Sequence, residues 1–153
     1  MKVIFLDIDG VLNSKYSIMR NFDSGMHLRY TTLPYIDHVI CLNEITNKTG
    51  AKLVVNSVRE ERKNIQDLLY LSGVIADTVG VLSDAHDGLE EKILNWLDCM
   101  KHTEETIESF IILGALRPKD KLKKLVDRFV RTDQEIGLTP DEAEKAITLL
   151  NDC

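Results

Sequence analysis

Three short stretches of the chain are almost continuously apolar: residues 2–6 (KVIFL), 51–55 (AKLVV) and 109–113 (SFIIL). Apolar runs of this length predict strands covered on both faces. Two weaker stretches, "VIADTVGVL" (74–82) and "LVDRFV" (125–130), predict further short strands. Between them the apolar positions recur at helical spacing. Pro34 opens one helix, with Ile36, Val39, Ile40, Leu42 and Ile45 expected inward, and Gly50 closes it. A second covers "REERKNIQDLLYLSG", with Ile65, Leu68 and Leu69 inward and a stop at Gly73. A third, "DGLEEKILNWLDCM", sets Ile93, Trp96, Leu97 and Met100 on one face. The last, "LTPDEAEKAITLL", starts from Thr139 as N-cap, with Pro140 in the first turn and Glu142 completing a capping box. Residues 13–33 are polar with scattered aromatics and predict a long loop or hairpin.

Strands that alternate with helices imply a parallel sheet sandwiched between helical layers, a three-layer Rossmann-like α/β fold. Ligands of such folds sit beyond the carboxyl ends of the strands. Asp7, Asp9, Asn56, Ser57, Gly114 and Ala115 all fall on that edge. No repeat, low-complexity tract or Gly/Ser linker interrupts residues 1–153, so one domain is expected.

Composition narrows the function classes. The net charge of −6 argues against a general binder of nucleic acid or membrane surfaces, though "RPKDKLKKLVDR" (117–128) is a local basic run. Three scattered cysteines suggest neither a disulfide framework nor a structural zinc site. No stretch is long and apolar enough to span a bilayer, and the N-terminus does not read as a signal peptide, so a cytoplasmic setting without membrane contact is expected. Phosphate-binding patterns of the GxxxxGK[ST] and GxGxxG kinds do not occur. "SDAHDG" (83–88) groups Asp84, His86 and Asp87 and reads most simply as a solvated loop before a helix.

The chemistry concentrates in "KVIFLDIDGVL", where two carboxylates one residue apart end the first strand. Residues two apart on an extended chain project to the same side, so Asp7 and Asp9 are expected to share a face, and Gly10 lets the chain turn. Like charges so placed repel unless a cation or a reaction uses them. They suit coordination of Mg²⁺, which prefers oxygen ligands and keeps several waters. They equally suit covalent catalysis, one carboxylate attacking phosphorus and the other shuttling protons.

"FLDIDGVLNS" resembles motif I of the haloacid dehalogenase (HAD) superfamily, an apolar strand followed by D-x-D-G-x-[LT]. The resemblance implies Asp7 as nucleophile and Asp9 as general acid/base. It further implies Mg²⁺ held by the Asp7 carboxylate, the Asp9 main-chain carbonyl and an acid after a later strand. The family's second motif, a hydroxyl residue after the second strand, falls on "VVNSVRE", with Ser57 or Asn56 as the phosphate-binding residue. The third, a Lys or Arg near the start of the helix before the fourth-motif strand, is assigned to Lys92, with Arg59 as another source of charge. The fourth departs from the pattern: "FIILGALRPKD" has Gly114 and Ala115 where metal-binding acids stand, and Asp120 lies further along. The element order and the tail "FVRTDQEIGLTPDEAEKAITLL" resemble small members without a large cap domain, similar to phosphatase modules of nucleic-acid end-repair proteins.

The expected function is therefore a Mg²⁺-dependent phosphohydrolase working through an aspartyl-phosphate on Asp7. An open site favours a bulky phosphorylated substrate such as a nucleic-acid end or a phosphoprotein. The alternative is a catalytically impaired relative that binds a phosphorylated ligand or protein partner, motivated by Gly114 and Ala115.

Overall fold

A computed structural model describes residues 1–23, 34–56, 64–83, 88–115 and 122–152. One sheet is built from β1 (Lys2–Asp7), β2 (Lys52–Asn56), β3 (Thr78–Val81), β4 (Ser109–Gly114) and β5 (Phe129–Arg131). The strand order is β3-β2-β1-β4-β5, and every neighbouring pair is parallel. The helices are α1 (Lys15–Asp23), α2 (Ile36–Thr49), α3 (Ile65–Leu71), α4 (Leu89–Met100) and α5 (Pro140–Asn151). No cap domain stands over the sheet among the described residues.

The side-chain alternation of β1 builds the layers. Ile4 and Leu6 enter one apolar cluster with Val39, Leu42 and Ile45 of α2, Ile65 and Leu69 of α3, and Ala143, Ala146 and Leu150 of α5. Val3 and Phe5 enter the opposite cluster with Ile93 of α4 and with Leu122 and Leu125. Phe5 packs edge-on against Trp96 and Phe110, with ring centroids 5.4 and 5.7 Å away. A Cβ at Gly80 would lie 2.8 Å from Trp96 Nε1, so this glycine lets the indole lie close over β3. The three-layer α/β architecture expected from the apolar runs is present.

Several local expectations need correction. The polar stretch 13–33 contains a helix, α1. Its start is local hydrogen bonding, which apolar periodicity does not register: Ser14 Oγ accepts the Ser17 N–H, and Ser14 O accepts the Ile18 N–H. Residues 24–33 lie outside the described part of the chain. The helix expected from Pro34 begins at Ile36, and Ile36 and Ile40 are exposed. Its inward face is instead His38, Val39, Cys41, Leu42, Ile45 and Thr46, because α5 and the sheet cover that side. Helix α3 starts at Ile65, and the upstream part of the expected helix, 59–63, is outside the described residues. In α4 only Ile93 of the four expected core positions is fully buried; Trp96, Leu97 and Met100 are partly so, because α4 covers the sheet from one side only. The fifth strand is three residues, preceded by a 3-10 turn at Val126–Arg128. The capping box of α5 is as expected: the Thr139 N–H donates to Glu142 Oε2 at 3.0 Å, and its hydroxyl donates to the same oxygen.

Candidate active site

The middle strand, β1, ends at Asp7, whose side chain is half-buried between the ends of β2 and β4. Asp7 is in register with Asn56, and Asn56 Nδ2 donates to Asp7 Oδ1 at 2.6 Å. On the other side β4 runs past it: Leu6 pairs with Leu113, so Gly114 is the next residue along. A Cβ at 114 would stand 2.7 Å from Asp7 Oδ2 and 3.4 Å from the Phe129 ring. The carboxylate therefore leans into the volume that any side chain at 114 would fill. This is the physical reason for a glycine where the resemblance leads one to expect an acid.

Beyond β1 the chain makes a tight turn. Ile8 O accepts the N–H groups of Val11, Leu12 and Asn13, at 3.2, 2.9 and 3.4 Å. Ile8 enters the same buried cluster as Ile4 and Leu6, while β1 ends at Asp7 and Asp9 stands in the turn beyond it, bridged to Asn13. Gly10 has φ +80°, and a Cβ there would lie 2.6 Å from Ala115 Cβ. Gly10 O accepts the Thr132 hydroxyl at 2.8 Å, and Gly114 O accepts the Thr132 N–H at 2.9 Å. One threonine thus ties the turn to the ends of β4 and β5.

Asp9 is exposed, and its orientation is set from within the turn. Asn13, 4% exposed, receives the Gly10 N–H on Oδ1 at 3.1 Å and donates from Nδ2 to Asp9 Oδ1 at 3.0 Å. Because an N–H faces one end of the amide, the donor end must face the carboxylate. Asn13 had no assigned role in the sequence reading. Its only signal is its place four residues after the second acid.

Of the residues expected at the site, Asp7 and Asn56 are in contact at the carboxyl edge of the sheet, and Asp9 follows in the turn just beyond β1. Lys92 lies in the first turns of α4, partly buried, and topology brings that helix N-terminus to the same edge. Ser57, Arg59, Asp120 and the 84–87 segment lie outside the described residues, as do Arg117, Lys119 and Lys121.

Among the described residues no three His, Cys, Asp or Glu side chains converge on a metal position. What the turn does offer is oxygen: the Asp7 carboxylate and the Asp9 main-chain carbonyl. Hard oxygen donors suit Mg²⁺, and a single charged ligand makes a weak site. The expected acids at 114 and 115 are replaced by a glycine under the Asp7 carboxylate and an alanine against Gly10.

A polar cleft of about 570 Å³ opens beyond the ends of β4 and β5, lined by Ala115, Arg131, Thr132, Asp133, Gln134, Glu135 and Glu142. It adjoins the Asp9 turn, since a Cβ at Gly10 would touch Gln134 as well as Ala115. No helix among the described residues is long and apolar enough to cross a membrane.

Residues 3–143 match a protein family described as "HAD domain in Swiss Army Knife RNA repair proteins". No curated protein and no solved structure gives a significant match to the chain.

Proposed function

Because the chain belongs to the family of HAD domains in Swiss Army Knife RNA repair proteins, a branch of the HAD-like phosphohydrolases, we propose that it is a phosphatase acting through Asp7 on the phosphorylated end of a bulky substrate, a nucleic acid before a phosphoprotein. The observation that carries this reading is the Asp7 carboxylate, held at the end of the central strand by the Asn56 amide.

In this reading an Asp7 oxygen attacks phosphorus, and the bond from phosphorus to the leaving oxygen breaks. Asp9 gives its proton to that oxygen. Water then attacks the aspartyl-phosphate, Asp9 takes its proton, and Asp7 leaves as a carboxylate with release of inorganic phosphate. The Asn56 amide holds Oδ1, and the reading takes Oδ2, the oxygen facing Gly114, as the nucleophile. The second Nδ2 hydrogen of Asn56 can meet a phosphoryl oxygen, and Ser57 and Lys92 are the further residues this reading assigns to the phosphate. Mg²⁺, which HAD enzymes generally use, would be held by Asp7 and the Asp9 carbonyl and would neutralise the charge on the transferring phosphoryl group.

The test is hydrolysis of 4-nitrophenyl phosphate with Mg²⁺. Asp7→Asn, which keeps shape and removes the nucleophile, is expected to lower kcat by about 10³-fold or more. Equal rates for the two proteins would overturn the reading. A second reading, a phosphate-binding relative without turnover, is favoured by Gly114 and Ala115. It predicts that the unaltered chain binds a phosphorylated end yet releases no phosphate from any substrate.

A further inference from the structure

We propose that Thr132 is the positioning residue of Asp9: its hydroxyl, acting through Gly10, sets how the acid/base meets the leaving oxygen. The catalytic consequence rests on the phosphatase reading, whereas the clamp stands on geometry alone. Asp9 lies beyond the end of β1, outside the strand ladder. The residue after it, Gly10, is buried and has φ +80°. Glycine reaches many backbone conformations at little cost, so the turn that aims Asp9 has a free joint at its centre. Two hydrogen bonds close that joint. The Gly10 N–H donates to Asn13 Oδ1 at 3.1 Å, and Gly10 O accepts the Thr132 hydroxyl at 2.8 Å. Asn13 belongs to the turn itself, whereas Thr132 is fixed from outside it.

What fixes Thr132 is the segment 132–138 between β5 and α5. It is closed on itself: Asp133 O accepts the N–H groups of Ile136 and Gly137 at 3.1 and 2.6 Å, and Asp133 Oδ1 accepts the Glu135 N–H at 2.8 Å. It is also bonded along its length to the chain that follows Asp9. The Leu138 N–H donates to Val11 O at 2.9 Å, and the N–H groups of Lys15 and Tyr16 donate to Gln134 O and Glu135 O at 3.2 and 3.1 Å. A preformed brace thus holds residues 10–16. Of these bonds only the Thr132 hydroxyl reaches Gly10, the residue next to Asp9.

Thr132 is 1% exposed, and its hydroxyl is the partner of a buried carbonyl. A buried carbonyl that loses its donor is strongly disfavoured, and at a glycine the peptide can rotate to relieve the loss. Such a rotation moves Asp9 relative to Asp7. The other bond of Thr132, from its N–H to Gly114 O at 2.9 Å, is main-chain and survives loss of the hydroxyl. The strand end that faces Asp7 therefore keeps its tie, and the damage falls on proton transfer by Asp9.

The experiment compares Thr132→Val, which keeps the volume and removes the hydroxyl, with Thr132→Ser, which keeps the hydroxyl. On an alkyl phosphate, whose leaving oxygen needs a proton, Thr132→Val is expected to lower kcat at least about tenfold more than on 4-nitrophenyl phosphate, with little change in KM. Thr132→Ser should recover most of that loss. Amide hydrogen exchange supplies a readout that needs no turnover. The amides of residues 10–13, all bonded within the turn, should exchange about tenfold faster in Thr132→Val and return towards the parent rate in Thr132→Ser, while those of α2 keep the parent rate. If Thr132→Val does not fold, Thr132→Cys, a far weaker donor, takes its place in both measurements. Equal losses on the two esters would overturn the proposal, as would turn amides that exchange at the parent rate. Exchange that rises as much in α2 as in the turn would also overturn it, by reducing Thr132 to a stability role. If the unaltered chain hydrolyses neither ester, the phosphatase reading fails, and the exchange rates at residues 10–13 alone decide whether the clamp stands.

Discussion

At the scale of single residues, the site is controlled by where side chains are missing as much as by where they are present. Restoring an acid at position 114 looks, from sequence, like a repair of the metal site. The geometry predicts the reverse: Gly114→Asp puts a Cβ 2.7 Å from Asp7 Oδ2, displaces that carboxylate and abolishes whatever turnover 4-nitrophenyl phosphate shows. Ala115→Asp adds its charge without that collision and is the better candidate to tighten Mg²⁺, as titration calorimetry would read. Asn13 is predicted to matter through Asp9. Asn13→Leu keeps the volume and removes the donor, so an alkyl phosphate, whose leaving oxygen needs a proton, should lose at least tenfold more activity than 4-nitrophenyl phosphate. Equal losses on both would reduce Asn13 to a structural role. Neither the Gly114–Asp7 contact nor the Asn13–Asp9 bond was legible in the sequence, because each depends on the approach of specific atoms and not on a pattern of polarity.

At the scale of elements, the hydrogen bonds that join one segment to another set the acid sensitivity. Glu90, in the first turn of α4, accepts the N–H groups of Lys123, Lys124 and Leu125 at 2.9, 2.5 and 3.0 Å. Desolvation pushes its carboxyl up, but the three N–H donors and the Lys124 charge outweigh this and hold its pKa below the usual value. A depressed carboxylate pKa stabilises the fold above the unfolded value, and that contribution is lost as pH falls through the folded one. The thermal midpoint should therefore fall as pH drops below about 4.5, and Glu90→Gln should flatten that fall. A Glu90→Gln protein with an unchanged acid profile would count against the assignment. Helix α5 was legible because capping chemistry is local, while α1 escaped because its signals are hydrogen bonds among serines. The inward face of α2 was misread at Ile36 and Ile40 because periodicity allows neighbouring stripes and only the packed partner selects one.

At the scale of the whole molecule, two apolar layers clamp the sheet, and its carboxyl edge rests on both. Phe5 is 1% exposed and packs against Trp96 and Phe110, so Phe5→Ala should cost about 3–5 kcal/mol by denaturant unfolding. That is a large part of the stability of a domain this size. A second clamp ties distant segments: His38 Nδ1 donates to Leu138 O at 2.8 Å, and Ser14 Oγ lies 3.4 Å from Nε2. Gly137, at φ +82°, sits where a Cβ would be 2.5 Å from that ring nitrogen, so Gly137→Ala should lower the thermal midpoint by several degrees.

The order of apolar runs and helical stripes was enough by itself to determine a parallel α/β sheet, its carboxyl edge and the two acids upon it, because burial and backbone alternation act on local pattern. Only the tertiary structure decided how those acids are held and what lies beside them. The Asn56 bond to Asp7 and the Asp7 carboxylate over Gly114 depend on which strand ends become neighbours, and the Asn13 bond to Asp9 on a turn that no pattern of polarity announces. Residues that meet at this edge are separated by up to 122 positions along the chain, and no local rule of polarity carries that information.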